Sequence, residues 1–356
     1  MRILHIITSL HTGGAEKLLV DLLPRFRDMG HDVELLLFDG TETPFYKEMS
    51  NAGIKIHSLS KGGNVYNPIN IFRVREYFNR FDIIHTHNTA CQYFTSVASR
   101  LNRHKSKLVT TEHSTTNRRR SMPFFRHIDK WMYQRYERII CIADSTASNL
   151  ENFIGIGSNI RIINNGIEIS KFRTVSHNRV YPDKEVIISM IAAFRPQKDQ
   201  DTLIKAMALL PDNYKLWLVG DGIRRKSLEA LTASLGLNNR VEFLGVRTDI
   251  PAIMEKSHII VLSSHWEGLS LSSVEGCASG RPVIASDVPG LREVIGGAGV
   301  LFPNGDYEKL AHEISHLATD SDYYNSIVKR CQNRANNYDI NIMAQRYNEV
   351  YLSLMK

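Results

Sequence analysis

Cysteine is scarce in this chain. Its 356 residues include four, Cys91, Cys141, Cys277 and Cys331, scattered without metal-ligand spacing. That excludes a zinc-knuckle or disulfide-stapled class and fits reduced thiols in a cytosol. No apolar run approaches the roughly 20 residues that a bilayer-crossing helix needs, so no transmembrane helix is expected. The opening stretch Met1-Arg2-Ile3-Leu4-His5-Ile6-Ile7 lacks the longer apolar region and small-residue cleavage site of a signal peptide, and reads as a first strand. After that strand comes neither Gly-x-Gly-x-x-Gly nor a P-loop, although Gly13 and Gly14 are paired there. Paired glycines at a strand end let the backbone approach a ligand closely, but a plain tight turn reads the same way.

What is present is long enough for two cores of roughly 150–180 residues each. Apolar runs at Ile3–Ile7, Val33–Phe38, Ile54–Leu59, Ile83–Ile84, Leu108–Val109 and Ile139–Ile142 alternate with stretches of helical period. This predicts an α/β, doubly wound parallel sheet. The turn Asn164-Asn165-Gly166 and the polar stretch from Ser170 to Lys184 precede a new strand at Val186, so a domain boundary is expected near residue 167. Residues 1–167 then form one domain and residues 168–340 a second. Charge is unevenly shared: residues 1–165 carry 22 Lys+Arg against 15 Asp+Glu, while the remainder carries 22 of each. The whole formal excess of +7 lies in the first part, which is where an anionic surface would be met.

The most informative stretch runs from His265 to Arg281. The apolar strand Ile259–Leu262 leads into it, and Gly280 follows the helix it contains. In a strand-loop-helix unit of this kind the loop and first helical turn, Gly268, Leu269, Ser270 and Leu271, offer unpaired backbone N–H groups to an anion. Glu267 and Glu275 frame that loop. Carboxylates beside an anion site are unfavourable unless they grip something else, such as sugar hydroxyls, so the expected ligand carries both phosphate and sugar.

The wording Glu267-Gly-Leu-Ser-Leu-Ser-Ser-Val-Glu275, followed by Ser279-Gly-Arg-Pro-Val-Ile-Ala-Ser-Asp-Val-Pro-Gly290, resembles the donor site of family-4 retaining glycosyltransferases. The resemblance covers nearly the whole chain and is strongest over residues 186–302. It implies a GT-B fold, two Rossmann-like domains facing across an interdomain cleft that holds the ligand. Residues 341–356 would then form a helix crossing back to the first domain. The implied activity is transfer of a hexose-type sugar, with retained configuration, from a nucleotide-diphosphate donor (UDP more than GDP) to a hydroxyl of a glycan or polyprenyl- or other lipid-linked acceptor. That activity suits cell-surface polysaccharide or glycoconjugate assembly, with no cofactor and no obligatory metal.

Residue by residue, the resemblance places Gly13 and Gly14 against the donor diphosphate and acceptor, His113 at the sugar and His87 near the acceptor. Gly220, in Gly-Asp-Gly, and Leu244 fall in segments that hold the nucleotide. Lys198 and Arg195 suit a diphosphate clamp, in which cations offset the charge developing on the leaving group. The family's usual arginine, five positions before the lysine, is Ala193 here, which leaves open a non-catalytic sugar-nucleotide-binding partner subunit; a nucleotide-sugar epimerase is a further alternative. Glu275 would bind ribose hydroxyls and Glu267 the transferred sugar. Asp199-x-Asp201 matches a metal motif formally but sits where a helix cap is expected. His85 and His87 share one strand face, yet the sequence offers no evident third metal ligand. Arg118, Arg119 and Arg120, followed by Met122, Phe124, Phe125 and Arg126, interleave cations with apolar side chains. That pattern suits an anionic membrane surface, nucleic acid could use the same chemistry, and a solvated loop is the simpler reading; the resemblance, whose members often glycosylate lipid-linked acceptors, implies the inner face of a cytoplasmic membrane and no nucleic acid.

Overall fold

The computed structural model describes residues 1–11, 13–101, 103–113, 122–155, 157–173 and 184–356. They divide into two compact units, Met1–Asn165 with Ile340–Lys356, and Gly166–Asp339. In the first unit the strands are β1 (Arg2–Ile7), β2 (Asp32–Asp39), β3 (Lys55–Ser60), β4 (Ile83–His87), β5 (Lys107–Glu112), β6 (Arg138–Cys141) and β7 (Ile160–Ile162). They form one parallel sheet in the order β3-β2-β1-β4-β5-β6-β7.

The inner strands β1, β2, β4, β5 and β6 are buried along nearly their whole length because helices cover both faces of the sheet, whereas the edge strands β3 and β7 are only partly buried. Ile3 and Ile7 pack with Leu19, Leu22 and Phe26 of the helix Gly14–Asp28. Leu4 and Ile6 point the other way, toward Val74, Phe78, Cys91 and Leu150. Each such side chain contributes about 1.5–3 kcal/mol by leaving water. His5 lies between these residues on the Ile3/Ile7 face and is fully buried, an ionisable ring inside an apolar strand.

The second unit has its own parallel sheet of β8 (Val186–Ile191), β9 (Tyr214–Val219), β10 (Val241–Gly245), β11 (Ile259–Leu262), β12 (Val283–Ser286) and β13 (Val300–Phe302), in the order β10-β9-β8-β11-β12-β13. In each sheet the strand order reverses once, between β1 and β4 and between β8 and β11. A crevice opens at the carboxyl ends of such a pair because the connecting helices leave on opposite faces. Gly13 and Gly14 follow β1 and His87 ends β4, while Arg195 and Lys198 follow β8 and Glu267 follows β11.

The closing helix, Ile340–Leu354, belongs to the first unit and packs on the helix Gly14–Asp28. Met343, Ala344, Tyr347 and Tyr351 complete the core on that face. Arg25 donates to Asn341 at 3.0 Å and Asn348 bonds His31 at 2.8 Å. The buried Tyr351 hydroxyl bonds Nδ1 of His85 at 2.5 Å, so the last helix reaches a polar group beneath β4. Tyr351→Phe keeps the ring and leaves that nitrogen without its partner. Urea unfolding should then show a loss of about 1–3 kcal/mol, the usual cost of a buried group left unpaired. An unchanged midpoint would mean the hydroxyl holds nothing.

Candidate active site

In the second unit, β8 runs through Ala192 and Ala193 into a tight turn, Pro196–Lys198. Asp199 then adopts a left-handed conformation and caps the helix Gln200–Met207, accepting from the Thr202 amide at 3.4 Å and its hydroxyl at 2.6 Å. Asp201 is bidentate to Arg224 at 2.6 and 2.9 Å. The Asp-x-Asp carboxylates therefore serve a cap and a latch, and face different partners.

The turn delivers Lys198 to Glu267, 69 positions away in sequence, and the two side chains pair directly. Ser264 donates to the same Glu267 oxygen, Oε1, at 2.7 Å. Gln197 stitches the two loops together: its carbonyl accepts from the His265 amide at 2.8 Å, and its side-chain amide donates to the Trp266 carbonyl at 2.7 Å. Glu267 is 7 % exposed and Lys198 21 %, so the pair is largely withdrawn from water and its attraction is correspondingly less screened. Arg195 is exposed, opens the turn and has no ion-pair partner among the described residues. Ala193 is exposed, and its carbonyl accepts from Gln200 at 3.1 Å.

Beyond Glu267 the chain enters the helix Leu271–Ala278 through Ser270, whose side chain does not cap it. The first-turn amides thus keep the donor capacity that makes a helix start attractive to an anion. Glu275 is half-buried one turn in, on the face that carries Leu271. The loop after β12 holds this entrance in place. At Gly290, φ is +84°, and a Cβ there would stand 1.9 Å from the Gly268 carbonyl oxygen and 2.7 Å from that of Glu267. Gly220, after β9, likewise has φ +140°, and a Cβ would meet the Ala192 carbonyl oxygen at 2.1 Å. Leu244 is the extra residue where the register of β10 slips against β9, and bulges of this kind re-aim side chains beside sites. Ile223 and Val246, on the neighbouring loops, are exposed by 87 % and 79 %.

In the first unit a cavity of about 410 Å³ lies at the β1/β4 reversal, walled by Thr8, Ser9, His11, Asn88, Gln92, Glu112 and His113. Gly13 and Gly14 start the adjoining helix, with open space beside Gly14. His113 bonds His87 through Nε2 at 3.0 Å. His87, placed near the acceptor by the resemblance, is fully buried, bonds His5 at 3.0 Å and stands behind His113, the ring that lines the cavity.

His5 was missed as a site residue. Its only sequence signal is a titratable ring inside an apolar strand. It also supplies the third imidazole absent from the sequence reading, since ring nitrogens of His5, His85 and His87 lie within 4.8 Å of one another. However, His85 has both nitrogens engaged, by Tyr351 and by Thr111 at 2.8 Å, and His87 has both engaged by other histidines. The donor set therefore suits hydrogen bonding better than a metal. Burial lowers the pKa of His5 to about 3 and of His113 to about 4, and pushes His85 and His87 well below the ordinary range. Arg118, Arg119 and Arg120 lie outside the described residues. Next to them, Met122, Phe124 and Arg126 are exposed at the start of the helix Pro123–Tyr133.

Comparison with known proteins agrees with this geometry. Residues 173–334 match the family described as glycosyl transferases group 1, and residues 12–171 match glycosyltransferase family 4. The chain is 26% identical to GalNAc-alpha-(1->4)-GalNAc-alpha-(1->3)-diNAcBac-PP-undecaprenol alpha-1,4-N-acetyl-D-galactosaminyltransferase of Campylobacter jejuni, over 98% of this chain and 97% of that one. It is 24% identical to UDP-Gal:alpha-D-GlcNAc-diphosphoundecaprenol alpha-1,3-galactosyltransferase of Escherichia coli, over 78% and 76%. The crystal structure of Anabaena Alr3699/HepE in complex with UDP matches with a TM-score of 0.87 at 23% identity, covering 99% of this chain and 100% of that one.

Gly290→Ala must both strain a left-handed backbone and displace the Glu267–Gly268 carbonyls. Thermal unfolding should drop by several degrees, since about 1–2 kcal/mol of strain corresponds to about 2–8 °C for a unit this size. A Tm equal to that of the wild type would show that the loop yields freely. Acid should also weaken the first unit. Its buried histidines have folded pKa values below their unfolded value of about 6.5, so the unfolded chain binds more protons and stability falls as pH drops from about 6.5 toward 4. Each such ring contributes about 1.4 kcal/mol per pH unit in that window, and a flat urea midpoint would mean the rings are already charged.

Proposed function

This chain belongs to the family-4 glycosyltransferases of the GT-B fold, and from that premise we propose that it moves a hexose-type sugar, with retention, from a nucleoside-diphosphate donor to a hydroxyl of a lipid-linked glycan. The observation that carries this reading is the Lys198–Glu267 pair beside an uncapped helix start. One cation and a row of amides suit a diphosphate, while the carboxylate remains for a hydroxyl. Helix-end stabilisation alone contributes only about 0.3–1 kcal/mol, up to about 2 when partly buried, so Lys198 carries much of the leaving-group charge, with Arg195 able to add to it. Glu267 orients the transferred sugar and Glu275 binds the ribose hydroxyls. The exposed apolar residues Ile223 and Val246, with Gly220 and Leu244, suit the flat face of a base.

A UDP donor is supported by the Escherichia coli relative, which is named for UDP-Gal, and by the UDP bound in the Anabaena structure. Both quoted relatives are named for undecaprenol-linked acceptors, which supports a membrane-borne one. No helix among the described residues is long and apolar enough to cross a membrane. Surface docking through Met122, Phe124 and Arg126 on the basic first unit would bring the enzyme to such an acceptor, each cation near anionic lipid adding about 1 kcal/mol. The non-catalytic reading of Ala193 is separated by product analysis after incubation with donor and acceptor.

The test is a panel of nucleotide sugars read by thermal shift, with turnover of the best binder. Lys198→Ala should cut kcat by about 10²–10³, the usual effect of removing one group that stabilises transition-state charge, and near-wild-type turnover would remove it from the clamp. Glu275→Ala should weaken donor binding about tenfold or more, the cost of a hydrogen bond to a charged group, and unchanged affinity would sink the ribose assignment. Turnover should survive a chelator, whereas a strict divalent-ion requirement would contradict the metal-free mechanism.

A further inference from the structure

Three imidazoles form a single file in the first unit. Nδ1 of His5 faces Nε2 of His87 at 3.0 Å, and Nδ1 of His87 faces Nε2 of His113 at 3.0 Å. At the inner end, Nε2 of His5 is buried and has no partner. At the outer end, His113 lines the cavity and its Nδ1 has no partner among the described residues.

Each contact needs one N–H and one lone pair, so if all three rings are neutral the file has only two arrangements. In one, every ring carries its proton on Nδ1 and the orphan atom of His5 is a lone pair. In the other, every proton sits on Nε2 and the orphan is a buried N–H. An unpaired buried N–H is the rarer and costlier of the two, because its only strong interaction is lost. We infer that His5 and His87 are positioning residues that lock His113 in the Nδ1–H form, so that His113 meets a sugar hydroxyl as a neutral hydrogen-bond donor and not as a general base.

The alternative, a relay passing a substrate proton inward, fails on where the charge would end. A proton accepted at Nδ1 of His113 would move Nε2–H of His113 to His87 and Nε2–H of His87 to His5, leaving an imidazolium on His5 in the core. Burial holds the pKa of that ring at about 3, so it does not take the charge near neutrality. The surroundings do not reverse this. His85 on β4, Tyr347 and Tyr351 on the closing helix, Thr111 on β5 and Phe26 on the first helix are all uncharged. The nearby carboxylate is Glu112, already bonded by Tyr133, and at the cavity wall stand His11 and Asp39. His113 itself is held neutral down to about pH 4 by burial.

The inference deepens the proposed transferase reading only in naming a sugar hydroxyl as the ligand; the ring polarity itself needs no ligand. Full-length protein labelled with nitrogen-15 histidine, at pH 7 and without substrate, reads it directly by two-bond nitrogen–proton correlation, with His113→Asn identifying the signals. His113 should show a protonated Nδ1 and an unprotonated Nε2, unchanged between pH 5 and 8. Two variants separate polarity from packing. His5→Phe fills the space with neither donor nor acceptor and passes the orphan position to Nε2 of the buried His87, whereas His5→Met presents a thioether, an acceptor without a donor, to that nitrogen. His5→Phe should therefore keep the Nδ1 proton of His113, while His5→Met should draw a proton onto Nε2 of His87, turn the file so that His113 carries its proton on Nε2, and lower kcat about tenfold with KM for the donor little changed. Unprotonated Nδ1 on wild-type His113 or on His5→Phe, or a His113 in His5→Met that keeps its Nδ1 proton and full kcat, would overturn the lock. Absence of any transferase activity alongside the expected spectra would instead reject the functional reading and leave the lock standing.

Discussion

A lysine and a glutamate, each costly to withdraw from water alone, neutralise one another where the strand order of the second sheet reverses. The rest of that site depends on the Lys198–Glu267 pair. Breaking a buried pair costs more than forming it gains, because the remaining charge is stranded. The two loops are accordingly fixed from several sides. Gln197 ties them together by two hydrogen bonds, Ser264 holds the carboxylate, and Gly290 lets the loop after β12 lie against the Glu267–Gly268 carbonyls. A cation positioned in this way can meet a developing phosphate charge without first being drawn out of solvent, which is how preorganised charge lowers a barrier.

The first unit solves a different problem with the same means. Its cavity is walled largely by neutral groups, and the four histidines beneath it stay uncharged because burial disfavours imidazolium. Cations lie elsewhere on that unit, at exposed positions such as Arg126. One unit therefore pairs opposite charges at its reversal point, and the other keeps its histidines neutral there, beside the carboxylates of Asp39 and Glu112.

The strands were legible because parallel strands covered on both faces must be apolar at successive positions, and every run named in the sequence became one. Lys198 and Glu267 were legible as separate signals, a cation after one strand and an acid after another. Their contact was not, since it depends on β8 lying beside β11, a fact of sheet order. His5 stayed hidden for the same reason: only the pairing of β1 with β4 sets it opposite His85. His85 and His87 were legible as sharing one strand face, but alternation gives a face and not a depth, so their full burial was not. Gly290 was visible only as the end of the wording that carries the resemblance, while its close approach to the Gly268 carbonyl belongs to packing. The bulge at Leu244 leaves no mark in the residue pattern at all.

A crystal structure with an unreacted donor analogue tests the central claim most directly. The pyrophosphate should lie within hydrogen-bond reach of the Ser270–Ser272 amides and the Lys198 ammonium, with Glu275 at the ribose and Glu267 at a sugar hydroxyl. A pyrophosphate bound away from that helix start, with both glutamates turned to solvent, would contradict it.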